Sequence, residues 1–231
     1  MRLNKYIAET GLCSRRVADS KIKEGHVLVN GKIPEMGQQV TDEDVVELHG
    51  QIIKKAPKKV YMVLNKPIGI TSTTDKKDGD NIVDFMQYPE RVFHVGRLDK
   101  ASEGLIIMTN DGDIVNKILR AENHHEKEYI VTVHKKITDD FIEKMASGVE
   151  ILNTVTLPCK VDKINPVTFK IVLTQGLNRQ IRRMCDVLGY EVKKLKRVRI
   201  MNILLGDLPY GHWRYLTNEE MQVLNEAIER N

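Results

Sequence analysis

The amino-acid sequence predicts an α+β protein in two parts, residues 1–58 and 59–231. Three observations carry this. Segments with strand character outnumber helical ones, and the two kinds do not alternate as a doubly wound parallel sheet requires. The first 50 or so residues hold a self-contained pattern of two short helices and a hairpin. A polar, proline-containing run, Lys54-Lys55-Ala56-Pro57-Lys58-Lys59, then reads as a linker.

The elements follow in order. Arg2 to Thr10 places Leu3, Ile7 and Ala8 on one helical face, and Gly11 ends it. Ser14 is a natural cap for a second helix carrying Val17, Ala18 and Ile22, closed by Gly25. His26 to Asn30 reads as a strand, Asn30-Gly31 as a tight turn, and Asp44 to Leu48 as a second strand. Beyond the linker, strands are predicted at Val60–Leu64, Leu105–Met108, Glu128–Val133, Phe169–Leu173, Val192–Val198 and Ile200–Leu204. Helices are predicted at Asp113–Arg120, Thr138–Ser147, Asn178–Leu188 and Asn218–Ile228, the last capped by Thr217. The sheet should be mixed, largely antiparallel and flanked by helices.

Composition narrows the function classes. At 231 residues with 41% hydrophobic content, the chain can bury a core. Its net charge of +4 is too mild to indicate nucleic acid by itself. Cys13, Cys159 and Cys185 form neither a disulfide framework nor a metal cluster, which predicts reduced thiols. The N-terminus lacks the apolar core of a signal peptide, and no run approaches a membrane span. A soluble, cytoplasmic monomer is expected. The nucleotide-binding patterns G-x-G-x-x-G and G-x-x-x-x-G-K-[ST] are both absent, so neither cofactor nor metal is expected.

Three polar clusters and a basic start hold the candidate chemistry. Arg2, Lys5, Arg15, Arg16 and Lys21 crowd the N-terminal module. A solvated charged face and a grip on RNA phosphates both fit them. Downstream, Gly96-Arg97-Leu98-Asp99-Lys100 runs into an apolar strand. Asp99 is either a turn residue bonded to its own backbone or a carboxylate presented at a sheet edge. Arg179, Arg182 and Arg183 gather at a helix start, where the dipole disfavours cations, so a phosphate or a carboxylate partner is implied. Tyr129 opens a strand in Glu126-Lys127-Glu128-Tyr129. Lys193, Lys194, Lys196, Arg197 and Arg199 read as a phosphate track or as solvent-facing strand residues.

The order of the N-terminal residues, Arg-Leu-Asn-Lys-Tyr-Ile-Ala, Cys-Ser-Arg-Arg-Val-Ala-Asp and Gly-His-Val-Leu-Val-Asn-Gly, resembles the S4 RNA-binding domain. The clusters, with Asn65-Lys66-Pro67-Ile68-Gly69 and Gly211-His212-Trp213-Arg214, resemble the RsuA-type pseudouridine synthases across essentially the whole chain. Within that family the resemblance is to the RluF branch, which acts on large-subunit rRNA. The likeness implies an S4-like domain followed by a catalytic domain that isomerises a flipped-out uridine without a cofactor. It implies Asp99 as the essential carboxylate, Arg182 as its ion-pair partner and Tyr129 stacked on the uracil. Arg97, Leu98, Lys100, Arg179, Gln180 and Ile181 would line the nucleotide pocket, while Arg2, Lys5, Arg15, Arg16 and Lys21 would hold RNA. The implied partner is large-subunit ribosomal RNA, with transfer RNA as a second substrate. One departure is Ala101, where the family usually has a polar or acidic residue. The rival readings are a transfer RNA enzyme, a non-catalytic S4 assembly factor and an unrelated basic nuclease.

Overall fold

The computed structural model describes residues 1–54, 58–119 and 125–229. Residues 55–57 of the expected linker and Arg120 of the expected helix Asp113–Arg120 lie outside them. The chain divides into two compact units. The smaller holds Met1–Val60 with Tyr88–Val92 and Thr109–Gly112, and the larger holds the rest.

The smaller unit contains α1 (Leu3–Glu9), α2 (Arg15–Lys23), β1 (Val27–Val29), β2 (Val46–Leu48) and β3 (Gln51–Ile52). Ser14 caps α2 by accepting from the amide of Val17, as its sequence position predicts. Asn30 and Gly31 both take positive φ, 51° and 75°, which is the demand of the tight turn that Asn-Gly meets best. The three strands form an antiparallel sheet over Leu3, Ile7, Ala18, Ile22, Val27 and Val46, all nearly inaccessible.

The larger unit is built on one nine-stranded sheet. Its elements are β4 (Tyr61–Lys66), α3 (Ile82–Met86), β5 (Phe93–Val95), β6 (Glu103–Thr109), α4 (Gly112–Leu119), β7 (Lys127–Val133), α5 (Asp139–Ser147), β8 (Glu150–Ile151), β9 (Thr154–Val155), β10 (Lys160–Asn165), β11 (Thr168–Leu173), α6 (Gln180–Val187), β12 (Val192–Ile200), β13 (Ile203–Leu204), β14 (Trp213–Tyr215) and α7 (Asn218–Glu229). The strand order is β10-β11-β7-β12-β6-β4-β14, with β13 beside β12 and β5 beside β6, while β8 and β9 pair separately. Pairing is largely antiparallel, as expected, but β12 runs parallel to β6 at Lys196–Glu103 and Arg197–Gly104.

Side-chain periodicity places the core on both sides of this sheet. β7 buries every second residue, Tyr129, Val131 and Val133, and β11 buries Phe169, Ile171 and Leu173. Against them pack Phe141 and Met145 of α5 and Ile181, Met184 and Cys185 of α6. A second cluster joins Val63, Leu105 and Ile107 to Ile114 and Ile118 of α4 and Leu224 and Ile228 of α7. The Thr217 hydroxyl oxygen accepts from the Glu220 amide at 3.1 Å, which confirms it as the cap of α7. The strand expected to break between Val198 and Ile200 is continuous, with a register shift between Arg197 and Arg199.

Candidate active site

The loop from β5 to β6 carries Gly96-Arg97-Leu98-Asp99-Lys100-Ala101-Ser102. Its conformation is fixed from several directions. Gly96 turns with φ 72°, and the ring Nδ1 of His94 bonds the Gly96 carbonyl at 2.7 Å. Leu98 is buried in the α5–α6 core cluster. Its amide donates to Ser72 Oγ, which in turn donates to the Leu98 carbonyl at 2.8 Å. The Ser102 amide donates to the Asp99 carbonyl at 2.9 Å, and the Gly69 amide donates to the Lys100 carbonyl at 2.8 Å. The Asp99 backbone is thus held by its neighbours, which leaves its carboxylate free for the cavity in front of it.

That cavity has a volume of about 790 Å³. Arg97, Leu98, Asp99 and Lys100 line one side, Thr174 to Arg182 another, and Tyr129, Lys127, Leu195 and Arg197 the sheet side. Every residue expected at the nucleotide pocket from the catalytic part of the sequence therefore lines one space. Among its lining residues Asp99 is the one carboxylate, against six cations: Arg97, Lys100, Lys127, Arg179, Arg182 and Arg197. Such a space attracts a polyanion and aims a single carboxylate at it.

Arg182 comes from the first turn of α6, whose apolar stripe seats the helix on the core. Its Nη2 donates to the Ala101 carbonyl at 2.9 Å and to Ser102 Oγ at 3.2 Å, and its Nη1 to the Val192 carbonyl at 3.3 Å. Its Nε stands 3.9 Å from Asp99 Oδ2, an electrostatic contact beyond hydrogen-bond reach. Burial, and then neighbouring Arg179, push the Arg182 pKa down, while Asp99 opposes that shift. The expected ion pair is therefore a single long contact through Nε, while the Nη nitrogens brace the Ala101 carbonyl, Ser102 Oγ and the Val192 carbonyl of β12. The same geometry explains Ala101: position 101 contributes its carbonyl and turns its side chain outward.

Not every pocket residue offers a free polar group. Gln180 is 5% exposed; its Oε1 accepts from the Leu177 amide and its Nε2 donates to Gln175. It staples the turn before α6, in which Arg179 adopts φ 50°. Ile181 faces the core, and Lys100 pairs with Asp80 at 2.8 Å. Arg97 and Arg179 are exposed at the cavity. In the smaller unit Arg2, Arg15 and Arg16 are exposed, Lys5 lies 3.6 Å from Glu9, and Lys21 Nζ lies 2.9 Å from His49 Nε2.

The basic track read on β12 is corrected in part. Arg197 is only 2% exposed and points inward. Arg199 is held by Glu126 at 2.9 Å and Glu128 at 3.2 Å, and Lys193 by Glu191 at 2.8 Å. Sequence reasoning also passed over Lys66, which is fully buried and donates to the carbonyls of Pro67 and Ile70. Burial pushes its pKa down to about 8; Arg197 adds to this, while Asp99 and Glu103 oppose it. Its place in Asn65-Lys66-Pro67 was the available signal. The thiols are poor nucleophiles, since burial pushes Cys159 up to about 11 and Cys185 up to about 12.

A lone carboxylate and a tyrosine lining a cationic cavity suit an enzyme that works on a polyanion. Residues 60–186 match the RNA pseudouridylate synthase family and residues 1–46 the S4 domain. The chain belongs to the RNA pseudouridylate synthase family, in its RsuA-like, S4-bearing form. It is 57% identical over 233 aligned positions to the dual-specificity RNA pseudouridine synthase RluF of Escherichia coli K12, covering 100% of this chain and 80% of that one. It is 35% identical over 237 positions to the ribosomal large subunit pseudouridine synthase B of Bacillus subtilis 168, covering 99% and 97%. A solved structure titled as a crystal structure of pseudouridylate synthase superposes with a TM-score of 0.71 at 28% identity, covering 97% of this chain and 99% of that one. The protein is a pseudouridine synthase acting on RNA. Among the described residues no helix is long and apolar enough to cross a membrane.

Proposed function

We propose that this enzyme converts a specific uridine of large-subunit ribosomal RNA to pseudouridine, with transfer RNA as a second substrate, and that Asp99 is its catalytic carboxylate. The observation that carries the site assignment is Asp99 as the one carboxylate of a cavity that also holds Tyr129 and Arg182. The names of the relatives, one a large-subunit enzyme and one of dual specificity, support the substrate assignment.

In this reading residues 1–58 grip folded RNA through Arg2, Lys5, Arg15, Arg16 and Lys21, and residues 59–231 carry the chemistry. The target uridine flips out at a cost of a few kcal/mol, roughly, set against contacts in the cavity. Tyr129 stacks on the uracil. The C1′–N1 bond breaks, the base rotates, a C1′–C5 bond forms, and the C5 proton is exchanged for one on N1. Asp99 serves either as nucleophile at C1′ or as base on the ribose. Arg182 keeps the loop in place and faces the carboxylate with its Nε. Arg97, Leu98, Lys100, Arg179, Gln180 and Ile181 shape the walls, the exposed arginines meeting phosphates. Isomerisation moves a bond within the substrate, so no cofactor enters. The enzyme works in the cytoplasm as a monomer.

Asp99→Ala tests the centre of this reading. Isomerisation should vanish while RNA affinity stays within about threefold; continued turnover would remove Asp99 from the chemistry. Carbodiimide-based primer extension on RNA from a deletion strain tests the substrate. A signal lost from 23S rRNA names the uridine, and unchanged 23S rRNA overturns the large-subunit assignment.

A further inference from the structure

We propose that Arg197 is a positioning residue for the isomerisation, one that ties the catalytic loop to the strand beneath the base and places an uncompensated positive charge under the cavity. The inference rests on the reading that this cavity receives the uracil.

Four observations lead to it. Arg197 is 2% exposed yet lines the cavity. Its Nε donates to the Leu105 carbonyl at 2.7 Å and its Nη1 reaches the Arg97 carbonyl at 3.5 Å, so one guanidinium joins β6 to the loop that carries Asp99. Its Nη2 is buried without a hydrogen-bond partner, and no ion pair joins it to a carboxylate among the described residues. Its backbone lies opposite Tyr129 on β7 and Gly104 on β6, which puts the charge beside the expected stacking residue.

Burying a guanidinium without a counter-ion destabilises a fold, and an apolar side chain of the same length would fill the space more cheaply. The effect on neighbours is visible: Arg197 contributes to the downward pKa shifts of both Lys66 and Lys127. What offsets such a charge is negative charge that arises during the reaction. As the C1′–N1 bond breaks, its electron pair stays on the uracil, spread over N1, O2 and O4. After rotation that ring forms the C5–C1′ bond, C5 releases its proton, and N1 takes one up. A fixed buried cation lowers the energy of the anionic base without touching it, because the field acts through a poorly screening interior.

Arg197→Met and Arg197→Lys are compared with wild type in single-turnover assays. The substrates are 23S rRNA transcripts made with uridine or with 5-fluorouridine, whose base is the more acidic leaving group; because C5 of the fluorinated base has no proton to release, the rate read for both is loss of the N-glycoside (C1′–N1 cleavage) in nuclease digests. The expected result is a fall in rate of about 10²-fold for Arg197→Met on uridine RNA, with RNA affinity within about threefold. On 5-fluorouridine RNA the fall should shrink at least about fivefold, because the better leaving group needs less help. Arg197→Lys should recover much of the loss, since it restores the charge. A rate for Arg197→Met within about threefold of wild type overturns the proposal. So does an equal fall on both bases with no recovery by lysine, which would reduce Arg197 to a packing residue. If Arg197→Met fails to fold, Arg197→Gln, which removes the charge and keeps an N–H donor for the Leu105 carbonyl, is read in its place against the same two limits. Asp99→Ala in parallel keeps the two readings apart: its continued turnover would sink the cavity assignment itself.

Discussion

Gly104→Ala is a perturbation whose size can be worked from the contact between β6 and β12. Gly104 has φ +106°, where an L side chain is strained. An added Cβ would stand 2.3 Å from the Arg197 carbonyl oxygen and 2.8 Å from its nitrogen. Both are backbone atoms, so no rotamer change relieves the contact and the strands must part. Strain in a sparsely populated backbone region costs about 1–3 kcal/mol. Overpacking of this kind adds about 1–3 kcal/mol. A loss of about 4 kcal/mol corresponds to a fall in Tm of roughly 8–16 °C for a chain of this size. The same displacement moves the loop that carries Asp99, and a misplacement near 1 Å lowers a catalysed rate by about 10²-fold. Calorimetry reads the first effect and tritium release from [5-³H]uridine RNA the second. A variant that melted within about 2 °C of wild type and kept its rate would refute the close approach of these strands.

Arg182→Lys should lower kcat by about 10²-fold, because one ammonium cannot span the Ala101, Ser102 and Val192 acceptors together; near-normal turnover in a steady-state assay would argue against that brace. Lys66 gives a pH signature. Its folded pKa is depressed from 10.5 to about 8, so between those values the unfolded chain binds the extra proton and stability rises with pH. The rise, up to roughly 3 kcal/mol, should be seen in urea titrations and should flatten in Lys66→Met. Charge reversal of Arg15 and Arg16, both exposed at the start of α2, should weaken RNA binding and lower the salt slope by about 1.5, with kcat at saturation unchanged.

Much of this fold was legible because apolar spacing matched the element period. Ile181, Met184 and Cys185 make a helical stripe, and Tyr129, Val131 and Val133 alternate on a strand. Elements without such a signal were missed. β10, Lys-Val-Asp-Lys-Ile-Asn, lies at the sheet edge with mostly exposed side chains, and β14 and β5 are three residues long. α3 has five residues and takes its start from Asn81, which caps the Val83 and Asp84 amides. In the cavity, Asp99, Tyr129 and Arg182 could be named from residue order. Arg197 could not be told from Lys194 or Lys196 in a run with five cations among seven residues, 193–199. Its burial follows from the parallel contact with Gly104, which is a tertiary fact with no local pattern.

That parallel contact joins residues 104 and 197, whereas the core of the smaller unit closes among residues 3–53. Synthesis proceeds from the N-terminus, and domains fold as their sequence becomes complete. The S4 core can therefore close while most of the chain is still unmade. The catalytic cavity cannot form until β12 has emerged to seat beside β6 and bring α6 over the loop. A nascent chain on a translating ribosome thus acquires its RNA-binding fold before its chemistry, so it cannot modify RNA until β12 has been made.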